Sequence, residues 1–86
     1  MKDKWHFPLI DPVKHWDLQH YIDHVREECK EFEEEMDPEK RAKECLDILH
    51  AAETLVRKYF ERQSRFSFNE IKAAIIAKNS KRGYYG

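Results

Sequence analysis

An Asp-Pro pair at positions 37 and 38 lies between two long stretches of the chain in which apolar residues recur at helical spacing. Asp is a favoured N-cap residue and Pro is favoured at the first helical position, so the pair predicts a helix start. A second Asp-Pro pair, at positions 11 and 12, predicts an earlier start in the same way. We therefore expect helices over 12–36 and 38–62, joined by a turn so short that they must lie antiparallel as neighbours.

The rest of the chain predicts one more helix and no sheet. Ser67 and Glu70 have the spacing of a capping box, and Gly83 is suited to end a helix that runs to about Ser80. The 86 residues include two Gly and three Pro, and 38% are charged, which is typical of an all-helical protein. We expect an all-α fold, an antiparallel helical hairpin plus a third helix, in a single domain over residues 1–86. Residues 1–10 form an apolar N-terminal arm that packs on the body or on a partner chain.

The second predicted helix carries apolar residues over a wider arc than one covered face requires. One arc consists of Cys45, Leu49, Ala52 and Val56, and the other of Ile48, Ala51 and Leu55. A helix of this kind is covered on two sides, and a chain of this length has a small core when it folds alone. We expect self-association into a helical bundle, as a homodimer or homotetramer.

The net charge of −1 conceals an asymmetry between the two parts of the chain. Residues 1–56 carry 8 basic and 15 acidic side chains, a balance of −7, whereas residues 57–86 carry 8 basic and 2 acidic, a balance of +6. This pattern argues against a uniformly basic nucleic-acid binder. No apolar run approaches membrane-spanning length, and the first residues lack the hydrophobic stretch of a secretory signal. We expect a cytoplasmic protein with neither nucleic acid nor membrane as a partner.

The stretch EECKEFEEE, residues 27–35, contains carboxylates that the hairpin would bring to those of the second helix. Antiparallel pairing about the turn puts Glu31 level with Glu44, and Glu28 level with Asp47, in two rungs about 4.5 Å apart. Glu44 and Asp47 lie at an apolar arc, where a carboxylate is costly unless it is paired or bound to a cation. Mg²⁺ is suited to this role because it accepts carboxylate oxygens and keeps other positions for water and phosphates.

Helical geometry separates the remaining glutamates of this stretch. Glu27 falls on the far side of the first helix, whereas Glu35 falls near Glu28 and Glu31 as a candidate fifth carboxylate. Most of the acidic run is therefore consistent with a solvated helix face.

In chain order, Glu27-Glu28-Cys29-Lys30-Glu31 is followed by twelve residues and then by Glu44-Cys45-Leu46-Asp47. The pattern resembles the E-E-x-x-E, spacer, E-x-x-D signature of the MazG-like all-α nucleoside triphosphate pyrophosphohydrolases. The resemblance implies that Glu28, Glu31, Glu44 and Asp47 are Mg²⁺ ligands, with Glu27 as an adjacent supporting acid. It also implies that water attacks the α-phosphorus of a (deoxy)nucleoside triphosphate and releases the monophosphate and pyrophosphate. Glu28 and Glu31 are the candidates for accepting the proton of that water.

The C-terminal segment KNSKRGYY is similar to the basic K-N-x-x-R-G ending of many small members of that family. The resemblance implies that Lys78, Asn79, Lys81 and Arg82 bind substrate phosphates. Alternatively, these residues form an ordinary basic C-terminal helix end, where positive charge is favourable for the helix dipole.

Other interpretations of the sequence remain. One is a non-catalytic helical dimerisation or interaction module whose acidic run is only surface. Asp47 and His50, three residues apart, partly match the E-x-x-H pattern of carboxylate-bridged di-metal bundles. His20 and His24 share a helix face and are candidates for zinc.

Overall fold

The computed structural model of this chain describes residues 5–11 and 16–86, and the described part is helical with no strand. Helix α1 spans Leu18–Glu34, α2 spans Pro38–Arg62 and α3 spans Phe68–Lys81. The hairpin of α1 and α2 forms the most extensive contact between helices. None of the described helices is both long enough and apolar enough to cross a bilayer. The all-α prediction is confirmed for the described residues, and both ends of α2 lie where the sequence placed them.

Helix α1 begins later than the sequence predicted. Its N-cap is Asp17 and not Asp11, and a side-chain oxygen of Asp17 accepts a hydrogen bond from the backbone N–H of His20 at 2.9 Å. Trp16 and Asp17 precede the helix, so the predicted start at residue 12 is wrong for these two positions. Pro12 itself lies outside the described residues.

The turn between α1 and α2 is closed by side-chain caps on both sides. Glu35 is the C-cap of α1, and its Oε1 accepts hydrogen bonds from the N–H groups of Met36 and Asp37, both at 3.1 Å. Asp37 in turn caps α2, since its Oδ2 accepts from the N–H of Lys40 at 3.0 Å. The predicted extension of the first helix to Met36 is therefore wrong, and that side chain is 86% exposed.

Helix α3 has the two ends that the sequence predicted. The Ser67 side chain accepts a backbone hydrogen bond from the first turn. At the other end, Gly83 has φ +77°, and its N–H donates to the carbonyl of Ser80, while the N–H of Tyr84 donates to the carbonyl of Asn79, both at 3.0 Å. This pair of bonds is a Schellman motif, in which glycine is favoured because it adopts positive φ without strain.

Few side chains are fully buried in the described part of the chain. They are Tyr21 of α1 and Ala51, Glu53 and Thr54 of α2, and α3 has none. The core is therefore a thin layer along the hairpin, and α3 adds little to it.

The described part of the N-terminal arm, residues 5–10, packs on α2. The N–H of Ile10 donates to the hydroxyl of Thr54 at 3.1 Å, and a ring nitrogen of His50 lies 2.9 Å from the carbonyl oxygen of Pro8. The Phe7 ring stacks on His50 with centroids 4.6 Å apart. Of the two placements expected for the arm, packing on the body is thus found for these residues.

Candidate metal centre

The hairpin brings three of the four predicted ligands together. Glu28 and Glu31 of α1 and Glu44 of α2 each offer a carboxylate oxygen, and the three oxygens all lie within 4.8 Å of one another. Glu28 and Glu44 are half-buried, whereas Glu31 is exposed. The cluster therefore lies at the edge of the hairpin, with one side open to solvent.

Burial and mutual repulsion disfavour the ionised forms of these carboxylates. Burial is the largest cause that raises the pKa of Glu28, to about 7, followed by a hydrogen bond shared with Glu31 and by the charges of Glu31, Asp47 and Glu44. Burial also raises the pKa of Glu44, together with the charges of Glu31, Asp47 and Glu35. Like charges gathered at a partly desolvated site behave in this way when no cation balances them.

One oxygen of the cluster lacks a partner. Glu44 Oε2 is shielded from solvent and has no hydrogen-bond donor among the residues that the structure describes. A buried polar atom without a partner carries a desolvation cost. A bound cation would remove that cost.

The donor set fits Mg²⁺. All of the ligand atoms are carboxylate oxygens, which hard divalent cations prefer. At Mg–O distances of about 2.0–2.1 Å, oxygens on one ion are roughly 3 to 4 Å apart, so oxygens already within 4.8 Å need only small side-chain adjustments to share it. The cluster leaves the open side for water or for a ligand oxygen.

The neighbouring acids are placed differently from one another. Asp47 is exposed and lies outside the close group, yet near enough for its charge to raise the pKa values of Glu28 and Glu44. Glu27 is exposed on α1. Glu35, the candidate fifth carboxylate, uses one oxygen to cap the turn and influences the cluster through its charge.

The candidate phosphate-binding residues lie at the C-terminal end of α3. Lys78, Lys81 and Arg82 are exposed, and Asn79 is half-buried. Within the described residues, no ion pair or hydrogen bond joins these side chains to the carboxylates. Within one chain, the described residues therefore show no direct contact between the two predicted parts of the site.

The histidines are engaged elsewhere. His20 Nδ1 lies 2.6 Å from Asp17 Oδ1 at the start of α1, and Trp16 packs against the rings of both His20 and His24. His50 contacts the N-terminal arm. Among the described residues, the one group of three or more His, Cys, Asp or Glu side chains with converging ligand atoms is the glutamate cluster. The zinc and di-metal interpretations gain no support from this placement.

Sequence reasoning missed the one buried carboxylate among the described residues, Glu53. Its two oxygens accept hydrogen bonds from the N–H groups of His6 and Phe7 at 2.9–3.0 Å, and Oε2 lies 2.6 Å from His6 Nδ1. Burial raises the pKa of Glu53, but the bonds from His6 and Phe7 outweigh it, so the pKa is held below its usual range. The available signal was an acid inside the apolar run from Ala51 to Val56.

The chain matches no protein-family model, no curated protein and no solved structure. The family indicated by the carboxylate spacing is therefore not shown by comparison.

Proposed function

We propose that this chain is a Mg²⁺-dependent nucleotide pyrophosphohydrolase, which cleaves a (deoxy)nucleoside triphosphate to the monophosphate and pyrophosphate. The observation that carries the proposal is the convergence of carboxylate oxygens from Glu28, Glu31 and Glu44 within 4.8 Å, across two antiparallel helices. The unpartnered Glu44 Oε2 supports a cation at this place. The spacing of the carboxylates, which resembles that of the MazG-like enzymes, supports the reaction class.

In this proposal Glu28, Glu31, Glu44 and Asp47 hold the metal. Bound there, Mg²⁺ would neutralise phosphate charge, orient the triphosphate and lower the pKa of a water molecule. Glu28 and Glu31 lie together in the cluster. Either one, as an ionised carboxylate, would accept the proton of the attacking water at a carboxylate oxygen.

Lys78, Asn79, Lys81 and Arg82 are proposed to bind the substrate phosphates. Three of them are cationic and exposed at the end of α3, where their charges are available to a polyanion. No direct contact joins them to the carboxylates within the described part of one chain, and the proposed enzyme is a homodimer or homotetramer in which the site is completed on assembly. A nucleotide substrate would place the protein in the cytoplasm.

The test is hydrolysis of a panel of ribo- and deoxynucleoside triphosphates, with pyrophosphate and orthophosphate assayed separately. We expect pyrophosphate and monophosphate from the wild type with Mg²⁺, and loss of both on addition of EDTA. Asp47→Asn and Glu44→Gln should abolish turnover. Glu33→Gln, an exposed acid of α1 outside the cluster, is the matched control and should retain it.

Other results would redirect the assignment. Orthophosphate alone, or pyrophosphate that persists in Glu44→Gln, would refute the proposed chemistry. The absence of turnover, together with a melting temperature that Mg²⁺ leaves unchanged, would favour a non-catalytic interaction module. The apolar surface left open on α3 is the observation that favours this second function.

A further inference from the structure

The N-terminal arm is held by side chains of α2 and not by secondary structure of its own. Its described residues contain no helix or strand, so their backbone N–H and C=O groups need other partners where solvent is excluded. Side chains of α2 spaced by three or four residues, which share one face of a helix, supply them. They are His50, Glu53, Thr54 and Arg57, which contact the backbone of residues 6, 7, 8 and 10.

Glu53 makes the most extensive of these contacts. The residue is 7% exposed, and its carboxylate accepts hydrogen bonds from the N–H groups of His6 and Phe7 at 2.9–3.0 Å, while Oε2 lies 2.6 Å from His6 Nδ1. Bonds to the backbone of two successive residues leave the arm little freedom to slide along α2. Glu53 therefore fixes the position of residues 6 and 7 on this helix.

The residue before this contact, Trp5, reaches α3. Its ring packs edge-on against Phe68, the first residue of α3, with centroids 5.2 Å apart. Phe68 packs in the same way against Phe60 of α2, at 5.4 Å. Arg57 connects the two parts of the arm, since its guanidinium donates to the carbonyl of Phe7 and lies 5.5 Å from the centre of the Trp5 ring. The start of α3 is thus held between a ring of α2 and a ring of the arm.

Helix α3 depends on such contacts for its placement. It buries no side chain, and the isoleucines of its apolar face, Ile71, Ile75 and Ile76, are 38–46% exposed. A helix of 14 residues is only marginally stable when it is isolated in water. The contacts at Phe68 therefore influence both the stability of α3 and the direction in which it runs.

We propose that Glu53 and Trp5 are positioning residues for α3: Glu53 holds the arm, and the arm holds Trp5 against Phe68. Lys78 lies ten positions beyond Phe68. That distance is about 15 Å along the helix, so a tilt of about 20° at Phe68 moves Lys78 by about 5 Å. The consequence for catalysis rests on the proposed function, in which the end of α3 binds the substrate phosphates. Neither Glu53 nor Trp5 touches substrate or metal in this proposal.

The first test is hydrogen exchange of the full chain, followed by mass spectrometry in EDTA and without nucleotide. Because α3 is marginal on its own, exchange of its amides measures whether it is docked. Trp5→Ala should raise the exchange rates of α3 amides about tenfold, while the N–H groups of His6 and Phe7 stay protected by the Glu53 carboxylate. Glu53→Ala should raise the rates in both the arm and α3.

Two control variants accompany these substitutions. Trp5→Phe keeps a ring against Phe68 and should restore most of the protection of α3. Glu61→Ala, at an exposed position of α2, should leave the exchange of both the arm and α3 as it is in the wild type.

Two results of this test would overturn the inference. One is loss of arm protection in Glu53→Ala without any change in α3. The other is Trp5→Ala with α3 as protected as in the wild type. This second result applies even if Glu53→Ala does not fold, because Trp5 is only half-buried at the end of the arm and its removal leaves the contact between α1 and α2 in place.

The second test separates positioning from general loss of stability. With nucleoside triphosphate and Mg²⁺, Trp5→Ala should raise KM at least about fivefold and change kcat by less than about twofold, because the carboxylates stay in place while the phosphate-binding residues move. Trp5→Phe should restore KM. A purely structural role would reduce the amount of active protein and leave KM unchanged, so an unchanged KM would overturn the link to the site. A wild type without turnover would refute the proposed function, and the exchange rates would still decide whether the arm positions α3.

Discussion

Substitution of Glu28 by Gln should stabilise the metal-free protein at alkaline pH. The folded-state pKa of Glu28 is about 7, against an ordinary value of 4.5. Since one pKa unit corresponds to about 1.4 kcal/mol, ionising this group in the folded state costs at most about 3.5 kcal/mol. Partial exposure of Glu28 to solvent reduces the figure to about 1–2 kcal/mol. Gln removes the charge while its amide can still donate a hydrogen bond to Glu31.

The expected gain depends on pH in a defined direction. Between pH 4.5 and about 7 the folded state holds the Glu28 proton that the unfolded state has lost, so wild-type stability falls as the pH rises through this window. Glu28→Gln has no carboxylate at this position, so its stability does not fall for this reason. Its advantage should therefore be largest near pH 8 and should disappear near pH 4.5.

The assay is thermal denaturation in EDTA at both pH values, followed by circular dichroism. A gain of about 1–2 kcal/mol corresponds to roughly 5–10 °C in Tm for a domain of this size. Glu33→Gln, on the exposed side of the same helix, should change stability by less than about 0.5 kcal/mol. Added Mg²⁺ should make the wild type the more stable of the two proteins, because it stabilises the wild type more than a variant that lacks one ligand.

Two results would refute this reasoning. If Glu28→Gln lowers Tm at pH 8 in EDTA, the carboxylate is not under repulsion in the folded state. If the gain is equal at both pH values, it arises from packing or helix propensity and not from ionisation.

Three further substitutions test other parts of the fold. Glu53→Ala should cost about 2–4 kcal/mol, because two backbone N–H groups of the arm lose their acceptor, and urea denaturation should show the loss. Gly83→Ala should cost about 1 kcal/mol and should lower the helical circular dichroism signal of α3, because the position requires φ +77°. Asp37→Ala should also cost about 1 kcal/mol by removal of the α2 N-cap, measured in the same urea titration.

Controls distinguish these effects from general damage. Glu61→Ala, at an exposed position of α2, should be nearly neutral, and a loss equal to that of Glu53→Ala would contradict the role given to the arm. Because Glu53 has a lowered pKa, its contribution should be present above about pH 4.5 and should be lost as the pH falls further. Unchanged stability in Gly83→Ala or Asp37→Ala would contradict the capping assignments.

The sequence predicted the hairpin well because its signals are local. Asp37 is suited to cap α2 and Pro38 to occupy its first position, whatever the distant contacts of the chain are. The short turn before them requires the two helices to be antiparallel neighbours. The same register put Glu31 level with Glu44 and Glu28 in the neighbouring rung, and the carboxylates of these three residues do converge.

The start of α1 was predicted wrongly because the local signal favours Asp11, which Pro12 follows, whereas the structure uses Asp17 as the N-cap. Local sequence therefore does not identify the cap that the chain uses. The choice depends on distant contacts: the arm lies along α2, where Ile10 binds Thr54 and Asp11 pairs with Lys58 at 3.4 Å. Contacts between residues more than forty positions apart leave no trace in local periodicity.

The different surroundings of Glu44 and Glu53 support a bound cation at the glutamate cluster. Both are acids on α2 with oxygens withdrawn from solvent. Glu53 meets two backbone N–H groups and a histidine ring, and its pKa is lowered. Glu44 meets other carboxylates, keeps one oxygen without a donor among the described residues, and has a raised pKa. The same side chain on the same helix is thus satisfied by the chain at one position and unsatisfied at the other. Glu44 lacks a positively charged partner among the described residues. A divalent cation is therefore the first ligand to test at the cluster.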